Sequence, residues 1–342
     1  ETLLHGLIIL AVLGALLNGS RRYLVLGLLA GVSIWVRPDG MTLLGPILFV
    51  AFLSEKTWYL RGEAFWKTLL GFGSLFFPYL LFNLALSDNP MPNTFYAKQA
   101  EYGYWSSMTL TDRITDYLWP ILASPFVVLI PAALVWLAKS IRARNWGALA
   151  SLIWFFGYIG IYFTRLPAYQ HGRYIIPALP IMYLWGILGW LELVSSPKLN
   201  RRIVALWQIT IVVLAIAFEF IGARQNAYDV FWIESEMVTT AKWIEQNIPP
   251  DARLAVHDIG ALGYFVENPL VDMAGLISPE VVPFIRNQER LAEYLDSKEV
   301  DYLVAFPGLY PRLTSQKESL FEAGLEFEPV HFDENMQVYR WR

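Results

Sequence analysis

The chain has 342 residues, of which 56% are hydrophobic and only 16% charged, against about 25% charged residues in an ordinary soluble protein. The net charge of −4 separates no function classes, because the apolar part and the tail have opposite balances. Cysteine is absent, which excludes a disulfide framework and any thiolate metal site.

Apolar residues concentrate before residue 223 and charges after it, so the two parts are expected to meet different solvents. The expected fold class is a polytopic α-helical membrane protein of about eight spans with a C-terminal soluble α/β domain. Residues 1–222 form the transmembrane helical domain in this reading, and residues 223–342 an extracytoplasmic α/β domain. Glu1 stands directly ahead of an apolar run, with no charged leader and no small-residue cleavage site. The opening run is therefore not read as a signal peptide, and the expectation is a fragment whose natural N-terminus lies upstream.

Apolar stretches cover 3–17, 23–36, 41–53, 65–86, 118–138, 146–164, 174–194 and 203–222. The fourth, fifth, seventh and eighth reach the roughly 20 residues that a spanning helix needs. The first three are short, and 23–53 could instead be a hairpin turning in the headgroup region. Every second connection is basic: Arg21 and Arg22; Lys56, Arg61 and Lys67; Lys139, Arg142 and Arg144; Lys198, Arg201 and Arg202. By the positive-inside rule these connections are cytoplasmic. The turn at Arg37, the 87–117 loop, the 165–173 loop and the C-terminal domain then share the outer face of a plasma membrane, and the origin is expected to be bacterial.

Three outer segments could carry chemistry. Trp35-Val36-Arg37-Pro38-Asp39-Gly40 is turn chemistry, since Pro presets φ and Gly tolerates positive φ. Arg37 can snorkel while Asp39 caps the next helix; alternatively Arg37 holds an anion at headgroup depth, where an ionisable residue is costly. Asn89 to Lys98 holds Pro90 and Pro92, so no regular helix is expected there. Its Asn93 and Thr94 can hydrogen-bond sugar hydroxyls, Tyr96 offers a flat face and Lys98 a charge. The other reading is an interfacial loop with Tyr102, Tyr104 and Trp105 as aromatic anchors. A short surface helix is expected over 111–117, capped by Thr111. In Arg165 to Tyr174, His171, Arg173 and Arg165 form a cationic cluster on the face where cations are less expected; headgroup snorkelling and a phosphate pocket both fit it.

In the C-terminal part, helices are expected over 234–247, 287–297 and 312–323. Strands are expected at 254–257, 270–273, 302–306, 327–332 and 336–341. Their alternation suggests a small sheet flanked by helices. His257-Asp258 follows the first strand, and either caps a helix or forms a catalytic pair. No further His or carboxylate lies at metal-ligand spacing, and no phosphate-cradling glycine loop appears.

Taken together, several segments resemble the GT-C superfamily of polytopic glycosyltransferases, most closely the branch that includes the mycobacterial terminal arabinofuranosyltransferase. The resemblance is carried by Glu1-Thr2-Leu3, Arg37-Pro38-Asp39-Gly40 and Pro92-Asn93-Thr94-Phe95-Tyr96-Ala97-Lys98. It continues in His171-Gly172-Arg173-Tyr174 with Pro177, and in Asp258-Ile259-Gly260 through Asp272-Met273-Ala274-Gly275-Leu276. It implies an inverting membrane glycosyltransferase of the cell envelope that moves a sugar from a polyprenyl-phosphate donor to an acceptor glycan, lipid or protein at the outer face. It puts the donor-phosphate-binding cations at Arg37, Lys98, His171 and Arg173, and substrate-binding groups at Asp39, Asn93, Thr94 and Tyr96. The family's catalytic carboxylate is expected upstream of Glu1, so no catalytic residue is assigned; Asp39 and Glu1 are substitutes to test. No cofactor follows, a divalent cation stays open, and nucleic acid is not among the expected partners. A lipid-sugar flippase would need polar residues near the bilayer midplane, whereas Glu192 and Glu219 lie near span ends. A non-catalytic glycan-binding membrane protein is the other alternative.

Overall fold

The structure is a computed structural model that describes all residues except 169–170, 197–198 and 325–333. The strand expected over 327–332, Lys198, and Tyr169 and Gln170 of the third outer segment lie outside the described residues. In chain order the helices are α1 (Thr2–Leu17), α2 (Tyr23–Val36), α3 (Leu44–Ser54), α4 (Trp58–Ser87), α5 (Asn93–Glu101), α6 (Leu110–Leu122), α7 (Ile130–Arg142), α8 (Trp146–Arg165), α9 (Leu179–Val194), α10 (Arg201–Trp232) and α11 (Thr239–Asn247). Then follow β1 (Leu254–Val256), α12 (Ile259–Phe265), β2 (Leu270–Asp272), α13 (Gln288–Ser297), β3 (Tyr302–Ala305), α14 (Pro311–Thr314), β4 (Ser319–Glu322) and β5 (Gln337–Arg340). Two compact units result: residues 1–91 with 102–218, and residues 92–101 with 219–342.

The first unit is all helical. Among the described residues five helical stretches are long and apolar enough to cross a membrane: Trp58–Ser87, Pro125–Arg142, Trp146–Arg165, Ile176–Val194 and Arg201–Asn247. Thr2–Leu17, Tyr23–Val36 and Pro38–Ser54 are shorter apolar helices. Proline shapes the boundaries. The apolar run 118–138 is not one helix: Ser124 is extended ahead of Pro125, as a residue before proline prefers, and a 3-10 turn over Pro125–Leu129 leads into α7. Likewise Ile176–Ala178 is a 3-10 turn around Pro177 before α9. The 23–53 stretch is a hairpin of α2 and α3, joined through Arg37 and a 3-10 turn over Pro38–Leu43.

Helices in this unit approach at backbone distance. A Cβ at Gly27 of α2 would sit 2.3 Å from the Thr68 carbonyl oxygen of α4, and one at Gly71 would sit 2.3 Å from the Leu24 oxygen. Small residues at a crossing let two helices maximise van der Waals contact. The interior is an aliphatic and aromatic core around Ile9, Leu13, Leu26, Ile34, Ile47 and Ile181. In contrast, α10 buries none of its residues, although its 203–222 part is predominantly apolar.

The second unit is a five-stranded sheet of order β2-β1-β3-β5-β4. β1 runs parallel to β2 and β3, whereas β5 is antiparallel to both β3 and β4. Alternation along the strands sorts the side chains. Ala255 and Leu303 face Leu291 and Leu295 of α13; Leu254, Val256 and Val304 face Ile244 of α11 and Leu262 of α12. Trp243 stacks on Phe321 at 4.8 Å between ring centroids.

Three expectations need correction. Asn93–Glu101 does form a helix, because the prolines precede α5 instead of interrupting it, and the Phe95 N–H donates to the Pro92 carbonyl. The helix expected over 111–117 starts earlier, at Leu110, and Thr109 caps it by accepting from the Asp112 N–H at 3.2 Å. Only Pro311–Thr314 of the helix expected over 312–323 is helical; Ser319–Glu322 pairs with β5 instead, so pairing across the sheet overrides local helix propensity.

Gly71→Leu should drive a side chain into the α2 backbone and cost about 1–3 kcal/mol. Gly157→Leu, where no neighbouring atom lies within 4 Å, should leave the unit at wild-type stability. Thermal unfolding of the two variants side by side tests this; equal midpoints would refute the close-packed α2–α4 crossing.

Candidate functional site

The most polar place inside the helical unit is the turn after α2. Arg37 is extended, with φ −151° and ψ 137°, and Pro38 then opens the 3-10 turn. Gly40 packs against Ser33 so tightly that a Cβ would lie 2.5 Å from the Ser33 carbonyl carbon. The geometry pulls Asp39 inward instead of leaving it to cap α3. Its carboxylate accepts from Arg37 Nε at 3.2 and 3.3 Å, and from the Tyr158 and Tyr162 hydroxyls at 2.8 and 2.7 Å. Its backbone carbonyl accepts from Thr42 Oγ1 at 2.7 Å, and Trp154 Nε1 donates to that same hydroxyl.

His5 of α1 completes the cluster. Its Nδ1 is 2.9 Å from Ser33 Oγ, while Nε2 lies 3.6 Å from Asp39 Oδ1. That distance allows an ionic contact but not a hydrogen bond, and Nε2 is a buried nitrogen with no hydrogen-bond partner among the described residues. Arg37 is 7% exposed and also reaches Glu1 Oε1 at 3.4 Å. One guanidinium thus faces two carboxylates, and Asp39 is the buried one of the two.

The third outer segment reaches this cluster through one ring. Tyr174 stacks on Tyr162 at 5.0 Å with an 18° interplanar angle, so Asp39, Tyr162 and Tyr174 form a continuous chain of contacts. His171 at φ 59° and Gly172 at φ 81° make the turn before it, and Gly172 passes so close to Pro120 that a Cβ would meet it at 2.8 Å. The His171 and Arg173 side chains are exposed.

The remaining expected site residues belong to the second unit. Lys98 pairs with Glu101 at 2.6 Å on α5. Asn93 Oδ1 is buried without a hydrogen-bond partner among the described residues, Thr94 is exposed, and the half-buried Tyr96 meets Phe95 edge-on. α5 packs here against the turn over 279–284, with Ala97 beside Gly275. A second polar cluster results at the carboxyl end of β1. His257 Nδ1 lies 2.7 Å from the Tyr310 hydroxyl. Asp258 does cap α12, accepting from the Gly260 N–H at 2.8 Å. Asp272 is fully buried and accepts from the Ala274, Leu276 and Ile277 N–H groups, so its charge shapes the turn at Gly275. Burial holds the His257 imidazole below its ordinary value, and Lys98 pushes the same way; Glu101, Asp258 and Asp272 oppose them.

Sequence reasoning singled out Arg37 and Asp39 but missed His5, Ser33, Tyr158 and Tyr162. A signal was present for the tyrosines, which stand four apart on one face of α8. Among the described residues no group of three His, Asp or Glu is placed to hold a metal ion.

Asp39→Ala leaves Arg37 buried without its nearer counter-charge, a loss of about 3–5 kcal/mol for a broken buried pair. Replacing both, as Arg37→Met with Asp39→Leu, should recover a large part of that loss in thermal unfolding. If the double variant is no better than Asp39→Ala, the pair is not the stabilising contact. For His257 the sign follows from its lowered pKa. The unfolded imidazole takes up its proton near pH 6.5 and the folded one only at lower pH, so stability is full above about 6.5 and falls on acidification below it. The protection factors of the β1 amides in the whole chain, referred to the intrinsic exchange rate at each pH, should therefore fall as pH goes from 7.5 to 5, and His257→Gln should flatten that dependence.

A family model described as a domain of unknown function (DUF8728) matches residues 224–339, within the α/β unit. No curated protein matches the chain.

Proposed function

We propose that this chain belongs to a multi-pass membrane glycosyltransferase of the GT-C type, which transfers a sugar from a polyprenyl-phosphate donor at the outer face of the membrane. The observation that carries this reading is the Asp39–Arg37 pair, buried with His5, Tyr158 and Tyr162 among apolar helices. Ionisable groups are expensive in such surroundings and mark function when they occur. The pair also sits in the Arg37-Pro38-Asp39-Gly40 segment on which the family resemblance rests. The membrane reading is supported by the five long apolar helical stretches; in the last of them the predominantly apolar 203–222 part of α10 leaves large side chains such as Leu206, Ile209, Phe220 and Ile221 uncovered. A helix of that kind needs an apolar solvent or a partner.

In this reading the carboxylate of Asp39 does not abstract the acceptor proton, because it is buried and already held by Arg37 and two tyrosyl hydroxyls. Asp39 instead positions Arg37. A donor phosphate competes with the exposed Glu1 for the guanidinium, since that contact is the longer one at 3.4 Å. Arg173, in the turn linked to the cluster through Tyr174, supplies further positive charge for the phosphate as the glycosidic bond breaks, with His171 beside it as a hydrogen-bonding group.

The test is sugar transfer by the full-length protein in lipid nanodiscs, with a short polyprenyl-phosphate sugar as donor. Arg37→Ala should lower transfer about ten- to a hundredfold, the value of one charge-assisted hydrogen bond, and Arg22→Ala should leave it unchanged. Unaltered transfer by Arg37→Ala would remove Arg37 from the site; no transfer with any lipid-linked donor would end the enzymatic reading.

A further inference from the structure

The helical unit holds a cleft of about 420 Å³ at the end of α2 opposite to Arg37. α2 has 14 residues, so at 1.5 Å per residue the two places are about 20 Å apart. The cleft is made by the turn between α1 and α2, the end of α3 and the turn before α8. Its walls are amphipathic. Leu16, Leu17, Val50 and Trp146 make the apolar side, and Arg21 and Arg144 the charged side.

No carboxylate lines the cleft. Arg21 approaches the buried Glu55 at 3.5 Å, but Glu55 is already engaged by the Tyr23 hydroxyl at 2.9 Å, and the Arg21 side chain stays 59% exposed. Arg144, held in a left-handed turn at φ 56°, has no ion-pair or hydrogen-bond partner for its guanidinium among the described residues, and its side chain is exposed. Two cations from turns more than a hundred residues apart therefore converge at the end of an apolar wall. An inorganic anion would use the cations and leave the wall idle. A molecule with a phosphate joined to an acyl chain uses both. Basic pockets between helices on the cytoplasmic side are suited to anionic headgroups, and Arg fits phosphate through its planar fork.

We propose that this cleft binds the phosphate of an anionic membrane lipid, with Arg144 and Arg21 on the phosphate oxygens and the first part of an acyl chain along Leu16, Leu17, Val50 and Trp146. The inference rests on the membrane reading above but not on the glycosyltransferase one. The lipid is structural or regulatory in this position, because the cleft is remote from Asp39.

The experiment uses the whole chain in nanodiscs of phosphatidylcholine with a minor share of phosphatidylglycerol, and native mass spectrometry to count retained lipids. Phosphatidylglycerol should be retained over phosphatidylcholine. Arg144→Gln, alone and with Arg21→Gln, should lower that retention about tenfold, the low end for a charge-assisted contact. Arg201→Gln with Arg202→Gln, in another basic connection, should not. Equal loss from both pairs would reduce the effect to diffuse surface charge and overturn the site. In a parallel arm, millimolar inorganic phosphate should fail to displace the lipid; displacement would mean a soluble-anion site instead. Extraction of the chain from membranes by alkaline carbonate would overturn the membrane reading itself, which the lipid-retention arms do not decide.

Discussion

A carboxylate placed among apolar helices has to be satisfied where it stands, since the solvation it loses is worth several kcal/mol. Asp39 meets that requirement with Arg37 from its own turn and two tyrosyl hydroxyls from α8. Much of the first unit follows from this. The turn must be tight enough to bring Asp39 inward, which the contact of Gly40 with Ser33 permits. α8 must present Tyr158 and Tyr162 toward α2, and α1 must bring His5 alongside. Tyr174 then stacks on Tyr162, tying the 171–174 turn to the same point.

Backbone-distance packing makes these demands compatible. Two helices that touch through glycine place their other side chains within short reach of each other, and hydrogen bonds between side chains become geometrically possible. Gly27 and Gly71 do this for α2 and α4. Gly147 does it for α8 against α1, where a Cβ would lie 2.1 Å from the Leu16 oxygen. The latter contact also defines one wall of the Arg21–Arg144 cleft. The same device thus shapes both polar places in an otherwise apolar unit.

The α/β unit solves a different problem. Its three parallel strands bury both faces, which is why β1 and β3 are apolar on both sides. β1 is flanked by β2 and β3, and His257 and Tyr310 emerge at the carboxyl end of this pair. α5, far away in sequence, supplies Ala97 and Ala100 to this unit. Its residues Asn93, Thr94, Tyr96 and Lys98 therefore belong to the α/β unit and not to the unit that holds Asp39.

The apolar runs, the basic connections and the turn chemistry of Pro38 and Gly40 were legible in the sequence, because each rests on neighbours within a few residues. So were β1, β2, β3 and the helix over 288–297, where short continuous apolar runs and capping are local signals. Tertiary structure alone decided the partners of Asp39, since Tyr158 and Tyr162 lie 119 and 123 positions away and no local pattern links them to the turn. It also decided the pairing of Ser319–Glu322 with β5 and the docking of α5, whereas the breaks at Pro125 and Pro177 follow from the prolines themselves. In each case that tertiary structure decided, competing local conformations lie close in free energy, and contacts made across the fold select among them.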